Sequence, residues 1–138
     1  MKALQTAIFA RYTTDTTIMA LTPSGLYLSG DVPHEKALPY TTYGFLPALN
    51  VGSMGSSVGY DYLEVIADFT IWVASGQLDT GYSIRERLLY LFNRWHGSFT
   101  GGGRIVGSYI MKPGLPMKEL DTETYRLDMS WRIRYTER

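Results

Sequence analysis

The carboxylates Glu64 and Asp68 are the residues whose type and spacing come closest to a catalytic pair. They lie four residues apart in an apolar run that predicts a β-strand, so both side chains would point to the same face of a sheet. Two carboxyl groups on one face could act as a general acid and a general base. Solvated or interfacial carboxylates are much more common than catalytic ones on an uncovered sheet face, and they are the favoured interpretation here.

Other motifs lack the residues that their chemistry needs. His34 and His96 have no neighbouring His or carboxylate at metal-ligand spacing. The glycine run at 101–103 follows a predicted helix and precedes a strand, whereas a phosphate-binding loop has the opposite order and a Lys-Ser/Thr pair. No serine lies in a nucleophile-elbow motif. We therefore predict no catalytic residue, no cofactor and no metal ligand.

Composition excludes several further classes of protein. The 138 residues include 13 Lys and Arg, 13 Asp and Glu, and no Cys. Zero net charge argues against a general nucleic-acid binder, and the lack of cysteine excludes disulfides, thiol catalysis and Cys-based zinc sites. No apolar stretch reaches the about 18 residues of a membrane-spanning helix, and the opening MKALQTAIFARYTT lacks the features of a secretory signal. The sequence predicts one domain, residues 1–138, that folds in a cytoplasm.

Three segments have helical patterns. Residues 3–12 carry apolar residues at helical spacing, and Asp15 or Thr16 could cap a short second helix that ends at 23–25. Ser83 and Glu86 form a capping box, which predicts the start of a third helix. The third helix is predicted to bury Ile84, Leu88, Leu91 and Trp95, with Leu89 and Phe92 beside them, and to turn Arg85, Arg87 and Arg94 toward water.

The sequence predicts five strands, at 26–28, 39–45, 64–74, 104–112 and 125–135. The third and the last have two clear alternating registers, and the second is predicted from its Tyr and Thr content. A turn is predicted at 113–120, and the Gly- and Ser-rich stretch 47–60 is predicted to be a flexible loop. Clean alternation is typical of antiparallel sheets, because a parallel sheet covered on both faces would be apolar throughout. The predicted fold is α+β, an α/β sandwich with a single, mostly antiparallel or mixed sheet of about five strands and helices packed on one face.

The neutral net charge conceals two oppositely charged segments. Residues 37–84 contain four acids and no base, residues 85–112 contain five bases and one acid, and the two flanking segments are each neutral. An acidic and a basic zone on one protein favour head-to-tail contact between identical copies. A monomer in which folding mixes these charges is an equally open alternative.

Some large side chains are predicted on the strand register opposite the fully apolar one. If helices cover only one sheet face, Ile66 and Trp72 lie either under the glycine-rich loop or in contact with a partner, and we favour the partner. Arg132 and Arg134, on the outward register of the last strand, either contact acidic neighbours or face solvent.

Five stretches, distributed from residue 3 to residue 138, share their pattern of residue classes with one known family: ALQTAIFARYTTDTTIMAL, GLYLSGDVP, ALPYTTYGF, FTIWVAS and YRLDMSWRIRYTER. In these stretches the chain resembles the tail-terminator or tail-completion proteins of long-tailed bacteriophages, which join the tail tube to the head connector. The departure from the family is the stretch 47–60, which is longer than expected between its two strands.

The resemblance implies a ring, usually a hexamer, of α/β subunits on the last ring of the tail tube. Such a ring ends tube polymerisation and provides the surface for joining to the head connector, with no enzymatic step. Its partners would be further copies of itself, the major tail tube protein and a head-completion or connector protein, with DNA only passing through the channel and no membrane involved. It would be located in the virion, at the head–tail junction, after assembly in the cytoplasm of the bacterial host.

The resemblance and the exposed registers together predict a protein–protein interface. Its candidate residues are Ile66, Asp68, Trp72, Arg85, Arg87, Arg132 and Arg134. A loop that becomes ordered against neighbouring rings is predicted at Gly52, Ser53, Met54, Gly55, Ser56 and Ser57. Two alternatives stay open: a small ligand-binding or hydrolytic α+β domain that uses the sheet face with Glu64, Asp68 and Trp72, and another neck or tail component of similar fold.

Overall fold

The computed structural model describes residues 2–33, 36–51, 62–99, 102–119 and 123–136. Within these ranges the helices are α1 (Lys2–Thr13), α2 (Thr16–Leu21) and α3 (Leu78–Phe92). The strands are β1 (Leu26–Leu28), β2 (Tyr40–Val51), β3 (Tyr62–Ala74), β4 (Gly97–Ser98), β5 (Arg104–Lys118) and β6 (Thr124–Thr136), and a 3-10 turn at Ser75–Gln77 leads into α3.

The described strands form one six-stranded sheet in the order β1-β2-β3-β6-β5-β4, which is curled into a half-barrel. β1 and β2 run parallel, and the other neighbouring pairs run antiparallel. The sheet is therefore mixed, as predicted. It has six strands in the described residues rather than about five, because the two-residue β4 pairs with the start of β5.

The apolar register of β3 and β6 forms the sheet face that α3 covers. Phe69 of β3 and Trp131 of β6 are fully buried, and Phe92 of α3 packs against them with ring centroids 5.1 and 6.1 Å away. Truncating a buried ring of this kind to alanine typically costs about 3 to 5 kcal/mol. The alternation predicted for the last strand is confirmed, since Leu127, Met129, Trp131, Ile133 and Tyr135 are all buried.

The first two helices lie where the sequence predicts them. Asp15 caps α2, and its Oδ1 accepts a hydrogen bond from the Ile18 N–H at 2.8 Å. The buried Tyr12 hydroxyl contacts Thr22 Oγ1 at 2.7 Å and Thr41 Oγ1 at 3.0 Å, which connects α1 to β2. These bonds stabilise the core because a buried hydroxyl without a partner is costly.

The predicted start of α3 is wrong: the helix begins at Leu78, upstream of the apparent capping box. Ser83 lies inside the helix, where its hydroxyl donates to the carbonyl four residues earlier at 3.2 Å. The residue that precedes the true start of the helix is Gln77. Its Oε1 accepts a hydrogen bond from the Ala74 N–H at 3.1 Å and closes the 3-10 turn. A serine hydroxyl that can bond back to its own helix competes with capping, so the short motif alone was misleading.

The helix also ends earlier than predicted, at Phe92. Arg94 adopts a positive φ of 59°, and its N–H donates to the Ser108 carbonyl at 2.6 Å. Asn93 Oδ1 accepts a hydrogen bond from the Ile110 N–H at 3.2 Å. These contacts attach the helix end to the outer edge of β5 and satisfy backbone groups that an edge strand would otherwise expose.

Two strands are longer than predicted. β2 continues through residues 47–51 of the predicted loop and pairs with β3 as far as Val51 and Tyr62, and the rest of that loop lies outside the described residues. β5 continues through the predicted turn as far as Lys118, with an irregular register between Pro113 and Pro116. Proline is tolerated there because, in the described residues, β4 pairs only with the start of β5 and leaves the rest as an edge strand.

Candidate protein–protein interface

The sheet face opposite the helices, which we call the outer face, carries most of the predicted interface residues. Strand pairing arranges them in rows that cross β2, β3, β6 and β5. In that order the rows are Leu49, Glu64, Arg134 and Gly107; Leu46, Ile66, Arg132 and Tyr109; Gly44, Asp68, Ser130 and Lys112; and Tyr40, Trp72, Arg126 and Met117. The fold thus brings Ile66, Asp68, Trp72, Arg132 and Arg134 onto one surface, whereas Arg85 and Arg87 belong to α3 on the other side of the sheet.

Glu64 holds both of the predicted interface arginines of β6, and we call these three residues the Glu64 cluster. Its Oε1 lies 3.2 Å from Arg132 Nε, and its Oε2 lies 2.8 Å from Arg134 Nε. The Glu64 side chain is 12% exposed, whereas the two arginine side chains are 46% and 49% exposed. Two positive charges on one negative charge leave an excess of one positive charge, so the cluster is suited to an acidic partner group.

Asp68 and Trp72 are bound separately from Glu64. Asp68 Oδ1 accepts a short hydrogen bond from Ser130 Oγ, and Ile66 lies in the row between the two carboxylates. Trp72 donates from Nε1 to Thr42 Oγ1 at 3.1 Å. The three residues of the ligand-binding or hydrolytic alternative are therefore each held by a different neighbour in the sheet, and none of the described contacts joins them.

Two further predicted contact residues, Ile66 and Trp72, belong to β3. Ile66 and Trp72 are half-buried on the outer face, in agreement with their strand register. Their contact with a partner stays a prediction. The residues of the predicted assembly-ordered loop, Gly52, Ser53, Met54, Gly55, Ser56 and Ser57, lie outside the described residues.

The two predicted interface arginines of α3 contact groups of their own chain. Arg87 binds Asp15 through two hydrogen bonds, Nε to Oδ1 at 3.0 Å and Nη2 to Oδ2 at 2.5 Å. The hydrogen bonds from Arg87 hold the pKa of Asp15 below its usual value, and the same contact raises the pKa of Arg87. Arg85 lies over the Tyr82 ring, 5.0 Å from its centroid, and 3.2 Å from Glu86. Intramolecular pairs thus involve two of the five basic residues of the segment 85–112.

The solvent-facing stripe of α3, which we call the helix stripe, is acidic and aromatic. Asp79, Ser83, Glu86 and Tyr90 follow one another at helical spacing, and all four are exposed. Tyr90 is 70% exposed, and one side of its ring is covered by Arg87, whose guanidinium carbon lies 4.3 Å from the ring centroid. The net charge of this stripe is therefore opposite in sign to that of the segment 85–112.

β5 carries exposed apolar side chains that the sequence analysis missed. We call five of these side chains, each 42 to 70% exposed, the apolar strip: Val106, Tyr109, Met111, Leu115 and Met117. Leu115 and Met117 were missed because they lie in the predicted turn at 113–120, which was inferred from proline and glycine residues that normally mark turns. The signal that could have found the strip is the recurrence of large apolar residues among Gly, Ser, Lys and Pro from residue 106 to residue 117.

A shallow depression joins the apolar strip to the Glu64 cluster. It has a volume of about 650 Å³ and is lined by Tyr109, Ile110, Met111, Arg132 and Arg134. The Tyr109 ring lies along its own strand, since a Cβ on the glycine at 107 would come within 2.9 Å of it. Apolar walls beside two guanidinium groups suit an aromatic or acidic side chain of a partner.

A second groove, of about 570 Å³, lies between α1, α3 and β4 and holds a structural arginine. Arg11 donates from Nε to the Leu91 carbonyl and stacks on Trp95, with 5.3 Å between the guanidinium carbon and the ring centroid. Burial lowers the pKa of Arg11. Trp95 lies beyond the end of α3 and not on its buried stripe, so that prediction is wrong.

The part of the chain that the structure describes contains no cluster of metal-binding side chains and no helix that could span a membrane. No three His, Asp or Glu side chains lie close enough there to hold a metal ion. None of the helices in these ranges is long and apolar enough to cross a membrane.

Comparison with known proteins finds similarity among solved structures. No protein-family model matches the chain, and no curated protein matches it. Among solved structures, the fold is similar to that of a chain in the virion of a native gene transfer agent (GTA) particle, with a TM-score of 0.77 and 17% sequence identity. The match covers 98% of this chain and 96% of the other. The two chains therefore share a fold over nearly their whole lengths.

Proposed function

We propose that the chain is a structural virion protein that caps a phage tail tube as a ring, ends tube polymerisation and provides the surface for joining to the head connector. The observation that carries the proposal is the full-length similarity in fold to a chain from the virion of a gene transfer agent particle. The resemblance of the sequence to tail terminators supplies the finer assignment. Neither points to chemistry, and the proposal includes no enzymatic step.

The distribution of exposed groups supports a role in assembly. The outer face combines Tyr109, Met111 and Met117 of the apolar strip with the excess positive charge of the Glu64 cluster, whereas the helix stripe on the other side of the sheet carries Asp79 and Glu86. A ring of identical copies needs two different and complementary patches on each copy. Leu115 and Tyr90, each 70% exposed, are large apolar or aromatic groups of the kind that protein contacts cover.

Termination in this proposal is steric and electrostatic. One surface of the ring matches the last ring of the tail tube protein, and the opposite surface does not match another tube subunit. That surface binds the head-completion or connector protein instead, while DNA passes through the central channel. The proposed ring is a hexamer that is assembled in the host cytoplasm and retained in the virion at the head–tail junction.

Removal of the protein from the phage or prophage that encodes it tests the proposal. Without a terminator the tube continues to grow, so an early nonsense mutation should give overlong tails and unattached, DNA-filled heads in electron micrographs. Expression of the wild-type chain in trans should restore both tail length and joining. Tails of normal length that fail to join heads would instead indicate another neck or tail component of similar fold. Normal, infectious particles would exclude a structural virion role.

A further inference from the structure

The helix stripe and the depression on the outer face are complementary in charge and in chemistry. The stripe carries Asp79 and Glu86. Glu86 forms an exposed pair with Arg85 at 3.2 Å, so Asp79 supplies the unpaired negative charge of the stripe within the described residues. The depression carries an excess positive charge, because Arg132 and Arg134 line it and share the single carboxylate of Glu64. Opposite charges of this kind steer two surfaces together and determine their register.

The aromatic residue of the stripe also matches the depression. Tyr90 is 70% exposed, and the depression offers a volume of about 650 Å³ between Met111, Tyr109 and the two arginines. An aromatic ring is stabilised there by contact with a guanidinium plane and with a thioether. Glu86 lies one helical turn, about 6 Å, before Tyr90, so a ring in the depression places this carboxylate close to the arginines.

We infer that the helix stripe of one copy docks on the outer face of the next copy, with Tyr90 in the depression and Glu86 beside Arg132 and Arg134. The two patches lie on opposite sides of the sheet. Each copy can therefore contact one neighbour through its helix stripe and another neighbour through its outer face. Such a heterologous contact leaves two unsatisfied ends until the chain of copies closes. The inference deepens the proposed function, on which the closure into a ring rests.

A two-fold arrangement is disfavoured by the same charges. Pairing of two helix stripes would bring the acids of one copy against the acids of the other. Pairing of two outer faces would bring together the arginines of two Glu64 clusters. Like charges directly opposite one another destabilise an interface, whereas the head-to-tail arrangement pairs unlike charges at each contact.

Cross-linking between two different single-cysteine chains tests the contact, because the natural chain contains no Cys. Ser83→Cys places a thiol on the helix stripe, and Lys112→Cys places one beside the depression, while Tyr90 and Met111 remain intact. A bis-maleimide with a reach of about 10 Å, or two helical turns, should join a mixture of the two chains into heterodimers. Each variant alone should give no cross-linked dimer. The exposed Thr17→Cys on α2, mixed with Lys112→Cys, is the matched control.

A charge reversal makes the test specific. Glu86→Arg in the Ser83→Cys chain should lower the yield of heterodimer by about tenfold, whereas Asp31→Arg, a reversal at an exposed acid outside both patches, should leave it unchanged. A heterodimer yield no higher than that of the Thr17→Cys control would overturn the inference, as would efficient cross-linking of Ser83→Cys with itself. Overlong tails in the nonsense mutant together with a negative cross-link would remove this contact while retaining the proposed function.

Discussion

At the scale of single residues, Asp15 shows how one carboxylate connects two elements. It accepts a hydrogen bond from the Ile18 N–H at the start of α2, and it pairs with Arg87 of α3, which is 72 positions away in the sequence. The Asp15 side chain is 10% exposed and that of Arg87 is 28% exposed, so the pair is only partly open to screening by solvent. The residue thus stabilises both a helix end and the contact between two helices.

Substitution of Asp15 should separate these two roles. Asp15→Ala removes the cap and the ion pair and should lower the free energy of unfolding by about 1 to 2 kcal/mol. Asp15→Asn keeps a cap acceptor and should cost less. Because the folded-state pKa of Asp15 lies below its usual value of 3.8, the charge stabilises the fold fully above that value and loses its effect as the pH falls through the folded pKa.

Urea unfolding measured at neutral pH and at acid pH checks this prediction. The difference in unfolding free energy between the wild type and Asp15→Asn should shrink as the solution is acidified, since both side chains are then uncharged. A difference that is independent of pH would show that the charge on Asp15 contributes nothing to stability.

At the scale of elements, the irregular part of β5 depends on one glycine. Gly114 has a φ of +81°, and a Cβ at this position would lie 2.7 Å from Met129 Cγ in the core. The backbone conformation and the close approach both exclude a side chain here. Because β5 can make this irregular turn and stay paired with β6, residues 113–118 of the predicted turn belong to a strand.

Gly114→Ala should therefore lower the free energy of unfolding by about 2 to 3 kcal/mol, through backbone strain and a steric clash. Gly30→Ala is a matched control, since Gly30 has a φ of +92° and no neighbour within 4 Å of the added Cβ. It should cost only the backbone strain, about 1 kcal/mol. Equal losses in the two variants, measured by urea unfolding, would exclude a contribution from the contact with Met129.

At the scale of the whole molecule, stability should be highest in the middle of the sheet. β3 and β6 each have a long paired strand on both sides, whereas β1 and β4 lie at the edges and contain three and two residues. Backbone amides in central, buried strands open only with global unfolding, while edges fray. Hydrogen exchange followed by mass spectrometry should find the slowest exchange in β3 and β6 and fast exchange in β1 and β4. Slow exchange in β4 with fast exchange in β3 would contradict this.

The sequence by itself determined the types of most elements and the apolar face of each strand. The alternation in β6 and the cap at Asp15 were predicted because they depend on residues that are two to four positions apart. The start of α3 was not predicted correctly, because the motif at Ser83 and Glu86 is equally compatible with the interior of a helix. The contact that precedes the true start is the hydrogen bond from the Ala74 N–H to Gln77, which depends on the conformation of the 3-10 turn.

Only the tertiary structure decided which charges meet and therefore which surface has which sign. Glu64 pairs with Arg134, 70 positions away, and Arg87 pairs with Asp15 across two helices, because strand register and helix packing select partners regardless of their distance in the sequence. The charges of the linear acidic and basic segments are thus partly neutralised by partners from the flanking segments 1–36 and 113–138. The Glu64 cluster has an excess of positive charge because one carboxylate pairs with two arginines, and the exposed Asp79 supplies the unpaired negative charge of the helix stripe.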